Sequence, residues 1–142
     1  MTVLMHAAAE TAAPRRTLVP FKIQVAVDAA LGVDLLLFAG WLAPRLFADP
    51  GAFPAEALLR WGGLALVLLS VEAMALLMRP DLRLARWLLG TYPALNAACA
   101  LALFGVAVAL PGLFTPFGLA MVLAMALVSG WVAWSQRRAL AA

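Results

Sequence analysis

Long apolar runs alternate with short polar breaks along this chain, and the breaks carry Pro, Gly, Arg and Asp. Four runs stand out, over residues 23–43, 57–78, 84–110 and 117–136. A helix needs about 20 apolar residues to cross the ~30 Å hydrocarbon core of a bilayer, and each run has that length. Pro44 and Arg45 close the first run, and Trp41 is placed as an interfacial anchor. Asp49-Pro50-Gly51 and Pro54 then supply turn chemistry. The second run ends at Arg79-Pro80, and Asp81 is a suitable N-cap for the helix that follows, since its carboxylate can accept free amide protons. From Trp87 to Gln136 there are fifty residues without a formal charge, too many for one span. Pro111-Gly112 and Thr115-Pro116 divide them into a tight hairpin. Pro93 falls inside the third run and leaves two alternatives open: a kink within a span over 84–110, or a short interfacial helix over 82–90 with the true span starting at Pro93.

The fold class predicted is all-α: an integral membrane bundle of four transmembrane helices. Residues 21–138 form that domain, 1–20 read as a flexible cytoplasmic tail, and 139–142 as a short C-terminal tail. The apolar run after Lys22 is too long for the core of a cleavable signal, which would also end in a small-residue cleavage site, so it reads as a retained helix.

Composition agrees. Hydrophobic residues make up 66% of the 142, charged residues 12%, and the mean hydropathy is +1.01. A soluble domain is nearer half apolar and about a quarter charged, so there is too little polar surface here to coat a water-soluble globule. The net charge of +3 and pI near 10.0 raise the question of nucleic acid. The basic residues, however, sit singly or in pairs at the ends of apolar runs instead of forming one basic face, which excludes nucleic acid as an expected partner.

Those same residues set the orientation. Arg15, Arg16 and Lys22 precede the first span, Arg79, Arg83 and Arg86 follow the second, and Arg137 and Arg138 follow the fourth, eight in all against Arg45 and Arg60 on the opposite side. The positive-inside rule then places both termini in the cytoplasm, with a bacterial inner membrane as the expected location. Arg79, Arg83 and Arg86 are also placed to touch anionic lipid head groups.

Candidate chemistry comes from the ionisable groups inside the runs. A charged side chain at mid-bilayer costs at least ~2.5–3.5 kcal/mol, so Asp28, Asp34 and Glu72 each need a reason. Asp28 is six residues from Lys22, Glu72 seven from Arg79, Ser129 eight from Arg137 and Asn96 ten from Arg86. At about 1.5 Å per residue these positions lie roughly 9, 10, 12 and 15 Å deep, one polar group per helix. Gln24, Asp28 and Gly32 share a helical stripe, as do Tyr92, Asn96 and Cys99, and Met125, Ser129 and Gln136. The pattern predicts an intramembrane polar cluster of Asp28, Glu72, Asn96 and Ser129, acting either as interhelical glue or as a proton or cation site. Asp34 lies about 240° round the helix from Asp28 and is expected either at an interface with a neighbouring subunit or partner or beneath a covering fourth helix.

Other chemistry is not signalled. His6 is the single histidine and lies in the tail, no Ser/His/Asp set or phosphate loop appears, and no cofactor or metal is expected. Cys99 reads as a small residue at a helix interface, and the Met74/Met78 and Met121/Met125 pairs as packing rather than a copper site. The expected function is that of a non-enzymatic accessory subunit or helix-bundle partner, lateral or homo-oligomeric. A proton- or cation-coupled transporter using the intramembrane carboxylates is the alternative. A membrane enzyme acting on lipid or quinone comes third, for want of a nucleophile or base pair.

An Asp28-bearing first helix, Leu-Leu-Arg-Trp-Gly-Gly at the start of the second (58–63), Met-Arg-Pro at its exit (78–80) and Asn96 in the third give a pattern that resembles small four-helix inner-membrane proteins of bacteria, and is loosely similar to DoxX-like proteins. The resemblance covers roughly residues 23–138 and implies an architecture, not an activity.

Overall fold

With no water in the hydrocarbon region, each backbone N–H and C=O must be satisfied within its own segment, and the apolar runs accordingly form helices. The computed structural model describes residues 18–78 and 90–141. It holds α1 (Val19–Leu46), α2 (Ala55–Leu77), α3 (Thr91–Ala109) and α4 (Pro116–Ala141), with one 3₁₀ turn at Pro111–Leu113 between the last two. All four are long and apolar enough to cross a bilayer, their most apolar stretches having mean hydropathies of 1.6 to 1.9. Only 17% of each such stretch is buried within the chain, so most side chains face outward. An outward surface this apolar is what lipid contact requires.

The helix ends follow local chemistry. Pro20 lies in the first turn of α1, where its missing N–H interrupts nothing. Pro93 does the same in α3, which begins at Thr91. The described helix thus begins two residues before Pro93, which lies in its first turn. The proposed interfacial helix, the Asp81 cap and Arg79, Arg83 and Arg86 lie outside the described residues. Thr115 caps α4: its Oγ1 accepts the Gly118 N–H at 2.9 Å. At its other end α4 continues to Ala141, through Arg137, Arg138 and residues read from sequence as a tail.

α1 is bent within its length: it departs from helical geometry at Phe38 (φ −111°, ψ 16°). Pro44, in its last turn, removes the donor to the Gly40 carbonyl.

The helices pack as two hairpins, α1 on α2 and α3 on α4, which meet along α1 and α4. In the first hairpin the backbones nearly touch. A β-carbon on Gly32 would lie 2.8 Å from the Gly63 carbonyl oxygen, and one on Gly63 would lie 2.6 Å from that of Gly32. At the loop end the hairpins are clasped together: Phe47 and Phe114 form an antiparallel bridge, and the Phe47 ring meets those of Phe53 and Phe114 at 5.0 and 5.8 Å. The Ala48 N–H donates to Leu113 O and the Thr115 N–H to Leu46 O, both at 3.0 Å. At the opposite end, where α1 begins and α4 finishes, Phe21 and Val25 of α1 pack with Ala73 and Leu76 of α2 and Tyr92 of α3, and Leu140 of α4 lies against them.

Candidate functional site

Directly beneath that apolar cap lies a layer of carboxamides. Gln24 is five residues from the start of α1, Asn96 five from the start of α3, and Gln136 five from the end of α4. At about 1.5 Å per residue all three sit roughly 7–8 Å in from the helix ends, and antiparallel packing brings them to one level. Gln24 and Asn96 form a reciprocal amide pair, Gln24 Nε2 donating to Asn96 Oδ1 at 3.1 Å and Asn96 Nδ2 donating to Gln24 Oε1 at 3.1 Å. Asn96 Nδ2 also donates to Gln136 Oε1 at 3.0 Å, and Gln136 Nε2 closes the ring by donating to Gln24 Oε1. The second proton of Gln24 Nε2 goes to Asp28 Oδ2, one turn deeper, at 2.9 Å.

The Gln24 amide thereby uses both of its donors and both of its acceptor lone pairs. Gln136 is fully buried, and no buried side-chain nitrogen or oxygen among the described residues lacks a partner. The ring ties α1, α3 and α4 together through complementary groups, which a low-dielectric interior strengthens.

Of the four polar groups expected to cluster, Asp28 and Asn96 do come together, bridged by Gln24. Glu72 occupies the same level, five residues from the end of α2, but its side chain is exposed and no hydrogen bond reaches it among the described residues. It and Asp28 both interact electrostatically with Tyr92, whose hydroxyl lies 3.5 Å from the Leu69 carbonyl. Ser129 is twelve residues from the end of α4, some two turns deeper than the ring, and takes no part in it. Gln24 and Gln136, the two residues that complete the site, carry the same helical spacing to Asp28 and Ser129 that marked those stripes in the sequence.

Asp34 faces away from this ring. It is exposed on α1 and lines an open groove of about 510 Å³ with Phe38, Trp41 and Leu42, beside the bend at Phe38. Phe38 and Trp41 are more than half exposed. No hydrogen bond or ion pair engages Asp34 among the described residues. Cys99 and the Met74/Met78 pair point outward, on α3 and α2.

No family model, curated protein or solved structure matches this chain. The functional reading therefore rests on the residues: a closed amide ring that fastens three helices, and carboxylates turned outward on apolar helix faces.

Proposed function

We propose that this protein is a non-enzymatic, multi-pass subunit of a bacterial inner membrane, with both termini cytoplasmic, that works by lateral association with another membrane protein. The observation that supports this reading is Asp34. It sits fifteen residues into a helix of 28, near mid-span, where a lipid-exposed carboxylate is expensive, yet no side chain among the described residues engages it. A partner helix presenting a basic or hydrogen-bonding side chain into the groove beside Phe38 and Trp41 removes that cost.

A photoreactive residue in place of Leu37, exposed on the same helix, tests the proposal in native membranes, with the intact mass of the gently purified complex as readout. The expected product is a stoichiometric crosslink to one membrane protein, lost in Asp34→Leu. Crosslinks to a second copy of this chain replace the accessory subunit with a homo-oligomer. Crosslinks to lipid alone overturn the proposal.

Transport is the second reading, and the half-buried Asp28 favours it, because it is the carboxylate held by the amide ring. Under that reading Asp28→Asn abolishes proton-coupled flux in proteoliposomes while the chain stays folded. Undiminished flux in Asp28→Asn discards the coupling role.

A further inference from the structure

The outer surface of the α3–α4 hairpin carries a second feature, independent of Asp34 and of the amide ring. At the end where α4 finishes, the two helices enclose a groove of about 560 Å³, within the ~300–1,000 Å³ of small-molecule sites. Ala94 and Ala97 of α3 line it with Gly130, Ala133, Trp134, Arg137 and Leu140 of α4. On α4 the lining runs from Gly130 to Leu140, ten residues, so the groove extends about 15 Å along the helix axis. Its lining is apolar apart from Arg137, the one charged residue in it, which lies within three residues of Leu140 in the last turns of α4. Arg137 is exposed and forms no ion pair among the described residues. Its neighbour Arg138 stacks its guanidinium 4.1 Å from the centre of the Trp134 ring and so holds that lining indole in place.

We propose that this groove binds one anionic phospholipid of the surrounding bilayer, its phosphate on Arg137 and the upper part of an acyl chain along the alanine and glycine lining. Charge complementarity selects the occupant. A soluble anion makes no use of so long an apolar trough, and a partner helix without acidic residues leaves the Arg137 charge unanswered. An anionic lipid satisfies both, and the groove opens at the depth where lipid phosphates lie if the helices cross the membrane as their lengths allow.

The test is native mass spectrometry of the full chain, released from nanodiscs of phosphatidylglycerol and phosphatidylethanolamine in equal amounts. The expected result is one retained phosphatidylglycerol per chain, preferred over phosphatidylethanolamine. Arg137→Gln lowers that preference about fivefold, the worth of one basic residue near an anionic surface. Ala97→Leu, which fills the groove and leaves Arg137 intact, lowers total lipid retention, with helical content and elution volume confirming the fold. Retention indifferent to head group, or unchanged in both variants, overturns the proposal. So does displacement of the lipid by millimolar inorganic phosphate, which would mark a site for the phosphate alone.

Discussion

Gln24 holds three neighbours at once, Asp28, Asn96 and Gln136, and its removal has a cost that the loss of an outward carboxylate does not. In Gln24→Leu, Gln136 loses the acceptor for its one described donor bond while remaining fully buried, and Asn96 loses its reciprocal partner. An unsatisfied buried amide costs about 1–3 kcal/mol, above the ~0.6 kcal/mol average for an interhelical bond in a membrane, because the partners have no lipid alternative. Glu72→Gln, at the same level but facing out, is expected to stay within about 0.5 kcal/mol. Reversible unfolding in mixed micelles compares the two, and equal destabilisation would remove the ring from its structural role. Sequence spacing already grouped Gln24 with Asp28 and Gln136 with Ser129; the level of the ring was harder to read. Depth counted from flanking arginines sets Asn96 too deep, because Arg86 lies five residues before the start of α3. It also leaves Gln136 at the edge of a span that in fact runs on to Ala141. Which face of α2 turns inward is settled by packing against α1, and nothing in the α2 sequence alone points Glu72 outward.

Helix existence follows from apolar length, which is why all four spans were legible; helix contacts depend on faces, which were not. Small residues four apart occur at Ala26/Ala30, Ala98/Ala102 and Gly105/Ala109, yet a β-carbon on Gly105 would meet nothing within 4 Å. Two backbones do come together at Gly32 against Gly63, one glycine from each helix, and at Gly118 against the Leu46 backbone. In a chain this rich in alanine, spacing along one helix does not reveal which small residue meets another. Gly63→Leu is therefore expected to force α1 and α2 apart, since backbone and not a flexible side chain stands in the way. Overpacking of this kind costs about 1–3 kcal/mol or more. Gly62→Leu, one position round the helix, has open space and is expected to be tolerated. A disulfide engineered across the α1–α2 contact reads the difference: it should form in Gly62→Leu and fail in Gly63→Leu. Formation in both would mean that the crossing adapts and the glycine contact is incidental.

At the scale of the whole molecule, four antiparallel helices put the start of α1 and the end of α4 at one end and the Phe47–Phe114 clasp at the other. The described basic residues divide with them. Lys22, Arg137 and Arg138 lie at the end where α1 begins and α4 finishes, whereas the two at the clasp end are engaged locally. Arg60 pairs with Glu56 at 2.5 Å, and the Arg45 guanidinium donates to the Trp41 carbonyl at 2.7 Å and lies 3.7 Å from the centre of its ring. Positive charge near the helix ends resists translocation, so the end opposite the clasp is expected to stay in the cytoplasm and the clasp to cross. The native thiol allows a direct test, because Cys99 lies eight residues into α3 on an outward, apolar face, where a charged reagent has no access. With Cys99 retained, the exposed loop residue Ala52 and the helix-end residue Arg138 serve as reporters. Ala52→Cys should react with a membrane-impermeant maleimide in intact spheroplasts, and Arg138→Cys only after permeabilisation, against an unlabelled parent chain. The reverse order of labelling would place the termini outside and show that something other than the described arginines governs insertion. Labelling of both in intact spheroplasts would mean that the two ends share a compartment, which four helices crossing one bilayer cannot produce.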